Sequence, residues 1–93
     1  MQALLDLSGK CAVVTGGSRG IGREAALLLA RCGAHVGIAY NQRSDAAKAT
    51  LEDVRHLGVH GFAEAGDLAK EQEADRLIQR AVDEFGGLDI FVG

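Results

Sequence analysis

Proline is absent from this 93-residue chain, and so are internal repeats and low-complexity tracts, so no linker divides it into parts. A basic excess is missing too. Ten Lys and Arg against thirteen Asp and Glu leave a formal net charge of −3, which gives no reason to expect nucleic acid as a partner. No apolar run reaches the roughly 18 residues of a membrane span. The opening MQALLDLSGK has neither a basic region nor the apolar stretch of a secretion signal. The expectation is a protein with no membrane partner and a cytoplasmic location. Two cysteines, Cys11 and Cys32, are too few for a disulfide framework, and both fall in segments of regular pattern where a thiol acts as a small apolar residue. His56 and His60 have helical spacing, but Gly58 between them reads as a helix end; Cys32 and His35 are likewise split by Gly33. No metal site is expected.

What is present is a balanced globular composition, 47% hydrophobic and 25% charged, in which short apolar runs alternate with longer stretches of helical period. Cys11 to Thr15 reads as a buried strand. Gly20 to Cys32 reads as a helix with Ile21, Ala25, Leu28 and Leu29 on its apolar side, ended by Gly33. His35 to Tyr40 is a second strand. Ser44 is expected to cap a second helix carrying Ala47, Leu51, Val54 and Leu57, stopped by Gly58. Val59 to Ala65 reads as a third strand, Glu71 to Phe85 as a third helix, and Leu88 to Val92 as a fourth strand. The third helix has the cleanest stripe: Ala74, Leu77, Ile78, Ala81, Val82 and Phe85. Strands separated by helices run parallel, and nearly continuous apolar strands fit a sheet covered on both faces. The fold class is α/β, a Rossmann-type parallel sheet of strand order 3-2-1-4 with flanking helices, incomplete as a doubly wound fold.

The first strand runs into Thr15-Gly16-Gly17-Ser18-Arg19-Gly20-Ile21-Gly22, and a helix follows. A pyrophosphate requires backbone N–H donors at close range and the positive end of a helix dipole. Gly16 permits the tight turn, Gly20 lets the backbone approach a phosphate with no β-carbon in between, and Gly22 allows the helix to pack close to the sheet. The strand-turn-helix context is what makes the string specific. A P-loop is excluded, because no Gly-Lys-Ser/Thr ending is present.

The arrangement Thr15, Gly16, Gly20, Gly22 resembles the cofactor motif of the short-chain dehydrogenase/reductase family. The likeness extends along the chain, through Leu7-Ser8-Gly9-Lys10, Gly66-Asp67-Leu68 and Phe85-Gly86-Gly87-Leu88-Asp89-Ile90. It is nearest to the branch containing 3-oxoacyl-acyl-carrier-protein reductases and related sugar and alcohol dehydrogenases. The resemblance implies that Asp67 contacts an adenine with help from the neighbouring backbone at Leu68, and that a complete protein is a homotetramer.

Dinucleotide folds that prefer NAD place an acid near the end of the second strand, where it binds the ribose 2′-hydroxyl. Here Tyr40 takes that place, followed by Asn41, Gln42, Arg43 and Ser44, and the first carboxylate is Asp45. Arg19 and Arg43 are candidates to bind a 2′-phosphate, for which a guanidinium fork is suited. NADP(H) rather than NAD(H) is therefore the expected cofactor. The cofactor-binding set is Gly16, Ser18, Arg19, Gly20, Ile21, Gly22, Tyr40, Asn41, Arg43, Ser44, Asp67 and Leu68.

Carbonyl reduction also requires a proton donor, which the resemblance implies to be a tyrosine with a lysine four positions on, aided by a serine and an asparagine. The only tyrosine is Tyr40, and four positions on stands Ser44. The family's Asn-Asn-Ala-Gly would begin where the chain has Gly93. Residues 1–93 are thus expected to be the N-terminal, dinucleotide-binding part of a single Rossmann domain, with no catalytic residue of their own. Two alternatives stand beside that reading: a non-catalytic dinucleotide-binding module, and a nonfunctional remnant.

Overall fold

A computed structural model describes residues 5–16, 20–67 and 69–93. Seven elements alternate: β1 (Cys11–Thr15), α1 (Gly20–Arg31), β2 (His35–Tyr40), α2 (Ser44–His56), β3 (Gly61–Ala65), α3 (Glu71–Phe85) and β4 (Ile90–Val92). The four strands form one parallel sheet in the order β3-β2-β1-β4. The register pairs Cys11 with His35, Val36 with Gly61 and Ala12 with Ile90.

Alternation along the strands sorts the core into two layers. Val14, Val36 and Ile38 face α1 and α2, where Ala26, Leu27, Ala30, Ala47 and Val54 pack on them. Val13, Ala39 and Phe62 face the other way, where α3 supplies Leu77 and Ala81, with Phe85 and Leu88 at the margin. Two helices cover one face and a single helix covers the other, as the order of elements predicts.

Several boundaries and faces differ from the sequence expectation. Ser44 does not cap α2: it is the first helical residue, and Arg43 is the cap without a side-chain hydrogen bond. The helical ladder starts one residue earlier, with the Ala47 N–H donating to Arg43 O at 2.9 Å, which makes Arg43 the cap. β3 begins at Gly61 rather than Val59, because the His60 N–H is taken by His35 Nδ1 at 3.1 Å instead of by a strand carbonyl. β4 begins at Ile90 rather than Leu88. Ahead of it Asp89 brackets Cys11, its Oδ2 accepting the Cys11 N–H at 2.9 Å and its own N–H donating to Cys11 O at 2.8 Å. α1 closes at Arg31, and the Cys32 N–H reaches back to Leu28 O and Leu29 O at 3.1 Å as the last helical bond.

The buried side of α1 is Ala26, Leu27 and Ala30; Ile21 is 90% exposed and Leu28 58%. Ala25 and Leu29 pack at its margin, so the expected stripe holds there and fails at Ile21 and Leu28. On α3, Leu77 and Ala81 are buried, whereas Ile78 and Val82 are exposed. Gly86 ends α3 in the left-handed conformation, its N–H bonded to Val82 O at 2.8 Å. Cys11 is buried at the start of β1, and burial, with a smaller contribution from the charge of Asp89, pushes its thiol above the ordinary value.

Candidate dinucleotide site

Steps from β1 to β2 to β3 proceed in one direction across the sheet, and the step from β3 to β4 returns to the far side of β1. In open parallel sheets such a reversal leaves a crevice beyond the carboxyl ends of the strands. The residues that the sequence singles out stand at those ends. The ladder continues one step past the strands on both sides of β2. The Gly16 N–H donates to Ala39 O and the Gly66 N–H donates to Tyr40 O, each at 2.9 Å. These two bonds set the turn after β1, the end of β2 and the turn after β3 side by side. Thr15 adds a tie across the reversal, its hydroxyl donating to Val92 O at 3.3 Å.

Gly16 and Gly20 both have positive φ, +67° and +62°, and among the described residues a β-carbon built on either meets no atom within 4 Å. Their backbone conformation is one that side chains disfavour. Gly20 opens α1, with exposed Ile21 and half-buried Gly22 in the same turn. The first turn of α1 carries no acidic residue, whereas α2 has Asp45 there and α3 has Glu71 and Glu73. The positive end of the α1 dipole is thus left uncompensated by carboxylate. These features fit an anionic group carried on backbone amides.

Beside this turn, Tyr40 is half-buried against the α1–α2 layer, Asn41 and Arg43 are exposed, and Ser44 is half-buried in the first turn of α2. Asp67 lies beyond β3, half-buried, with its Oδ1 accepting the Ala69 N–H at 2.9 Å. Gly16, Gly20, Ile21, Gly22, Tyr40, Asn41, Arg43, Ser44 and Asp67 all fall on the carboxyl side of the sheet. Ser18, Arg19 and Leu68 lie outside the described residues.

Sequence reasoning missed how the turn after β3 is held. The Asp67 N–H donates to Glu73 Oε1 at 2.8 Å, and Arg76 Nη2 donates to Ala65 O at 3.0 Å. An acid at the third position of α3 was the available signal, since such residues reach back to free N–H groups before the helix. Arg23 was missed as well: it joins α1 to α2 through Thr50 Oγ1 at 3.0 Å and through Asp53. Among the described residues, no cluster of three or more His, Cys, Asp or Glu could hold a metal ion, and no helix is long and apolar enough to cross a membrane.

Comparison with known proteins carries the same pattern over nearly the whole chain. Residues 10–93 match the short chain dehydrogenase family. The chain belongs to that family. It is 42% identical over 83 residues to a 3-oxoacyl-[acyl-carrier-protein] reductase of Staphylococcus epidermidis, covering 89% of this chain and 34% of the relative. It is 46% identical over 88 residues to a hydroxynaphthalene reductase of Aspergillus fumigatus, covering 95% and 32%. Among solved structures, a short chain dehydrogenase from Burkholderia cenocepacia in complex with NADP superposes with a TM-score of 0.88 at 41% identity, covering 91% of this chain and 35% of that one. A hydroxysteroid dehydrogenase from Escherichia coli gives a TM-score of 0.85 at 37% identity, covering 92% and 35%. The chain therefore spans about a third of the length of these relatives.

Proposed function

We propose that this chain is the dinucleotide-binding part, residues 1–93, of a short-chain oxidoreductase that transfers hydride between NADP(H) and a carbonyl or alcohol substrate. The start of α1 carries the reading, where Gly16 and Gly20 have positive φ and the first helical turn has no acidic residue. Backbone amides at Gly20, Ile21 and Gly22 hold the pyrophosphate, with Ser18 and Arg19 contributing from the turn. Asp67 contacts the adenine with the backbone at Leu68. The nicotinamide supplies the hydride, and no residue of this chain is assigned a proton-transfer role. Cytoplasmic location and homo-oligomeric assembly of a longer protein belong to the same proposal, supported by the family likeness.

The choice of NADP(H) rests on charge at the end of β2. Tyr40 stands where an acid would bind a ribose 2′-hydroxyl and repel a 2′-phosphate. Arg43 follows it, exposed at the cap of α2, with Ser44 and Asn41 beside it as neutral donors. Arg19 joins them on sequence grounds. The NADP complex of the Burkholderia cenocepacia relative agrees with this reading.

Equilibrium titration of NADPH and NADH against wild type, Arg19→Ala and Arg43→Ala tests the assignment. Loss of a guanidinium from a 2′-phosphate weakens NADPH binding by roughly tenfold to a hundredfold and leaves NADH within about twofold. Equal weakening of both nucleotides would defeat the charge argument.

A further inference from the structure

We propose that Glu73 is a positioning residue for adenine recognition, holding the turn after β3 so that Asp67 offers the base a carboxylate and no backbone donor. The inference rests on the dinucleotide reading above and deepens it to the chemistry of the base.

The turn is held from two sides. From the sheet, Tyr40 O accepts the Gly66 N–H at 2.9 Å. From α3, Arg76 Nη2 donates to Ala65 O at 3.0 Å and Glu73 Oε1 accepts the Asp67 N–H at 2.8 Å. The Lys70 N–H donates to Asp67 O at 2.9 Å, and the Ala69 N–H donates to Asp67 Oδ1 at 2.9 Å. Glu73 lies between two cations, with Lys70 Nζ 3.7 Å from Oε2 and Arg76 Nη2 3.8 Å from Oε1. Ala65, Gly66 and Asp67 are thus each tied by a hydrogen bond to β2 or α3 with no ligand present. Such preorganisation strengthens binding by removing the cost of ordering the loop.

With its N–H committed to Glu73, Asp67 meets the base as an acceptor alone. A carboxylate selects a purine that carries a hydrogen-bond donor at its six position, the exocyclic amine of adenine, and disfavours an oxo group there. Removing the Glu73 acceptor frees the Asp67 N–H, lets the turn relax, and weakens that selection. A merely structural role for Glu73 predicts something else: both nucleotides weaken together and their ratio holds.

The test uses the full chain and two probes, NADPH and its hypoxanthine counterpart, titrated by fluorescence against wild type, Glu73→Ala and Glu73→Gln. Wild type is expected to favour NADPH by on the order of tenfold. In Glu73→Ala the ratio falls toward one, and in Glu73→Gln, whose amide oxygen still accepts the N–H, it stays near the wild-type value. Glu73→Ser, too short to reach Asp67, takes the place of the alanine variant if that one does not fold, with the same expectation. A ratio unchanged in the alanine or serine variant overturns the proposal, as does a ratio lost equally in Glu73→Gln. Wild type that binds neither nucleotide overturns the dinucleotide reading itself and takes this inference with it.

Discussion

Gly37 and Phe62 form one packing unit at the centre of the sheet. They are register partners on β2 and β3, and a β-carbon at Gly37 would lie 2.2 Å from Phe62 Cζ. The ring instead uses that space to reach Phe85, with centroids 5.2 Å apart, while the Arg80 guanidinium sits 4.8 Å over its centroid. Arg80 is held there by Glu64 at 3.1 Å and Glu84 at 3.0 Å. Gly37→Ala is therefore expected to destabilise the fold by about 1–3 kcal/mol through overpacking. Adding Phe62→Leu should recover part of that loss, since the smaller side chain gives the new methyl room. Denaturant midpoints of the two variants check both statements; an unchanged midpoint for Gly37→Ala would contradict the packing described.

At the scale of elements, the chain was legible where periodicity and glycine punctuation agree. α3 spans Glu71–Phe85 as its stripe predicts, and β1 and β2 have their expected bounds. Strand ends were less legible because side chains finish the ladders. His35 takes the N–H that would have begun β3 early, and Asp89 takes the one that would have paired ahead of β4. Neither bond leaves a trace in a hydrophobic pattern. The apolar face of α1 was legible in part: Ala25 and Leu29 pack against the core as expected, while Ile21 and Leu28 stay outside and Ala26, Leu27 and Ala30 complete the face. At the site, the glycine spacing made the turn after β1 visible from sequence. The clamp on the turn after β3 was not, because it depends on Glu73 and Arg76 folding back from the next helix.

At the scale of the molecule, the two sides of the sheet differ in cover. Phe91 is the register partner of Val13 and so faces the α3 side, where it is 49% exposed on edge strand β4, and Ile78 and Val82 of α3 are exposed as well. An apolar edge strand with free backbone groups on its outer side is a template for pairing with another chain. The 93-residue chain is expected to self-associate as its concentration rises, and Phe91→Lys to shift it toward monomer. Sedimentation velocity over a concentration series reads this directly, and a wild-type monomer at every concentration would count against it. The carboxyl side of the sheet is built differently: the first turn of α1, which opens there, carries no acidic residue. Mapping backbone amide shifts during an NADPH titration addresses that asymmetry most directly. Saturable shifts are expected at Gly16, Gly20 to Gly22, Tyr40 to Ser44 and Asp67, with Gly33, Gly58 and His60 at the opposite end unmoved. Shifts confined to that opposite end, or none at saturating nucleotide, would contradict a dinucleotide site at the start of α1.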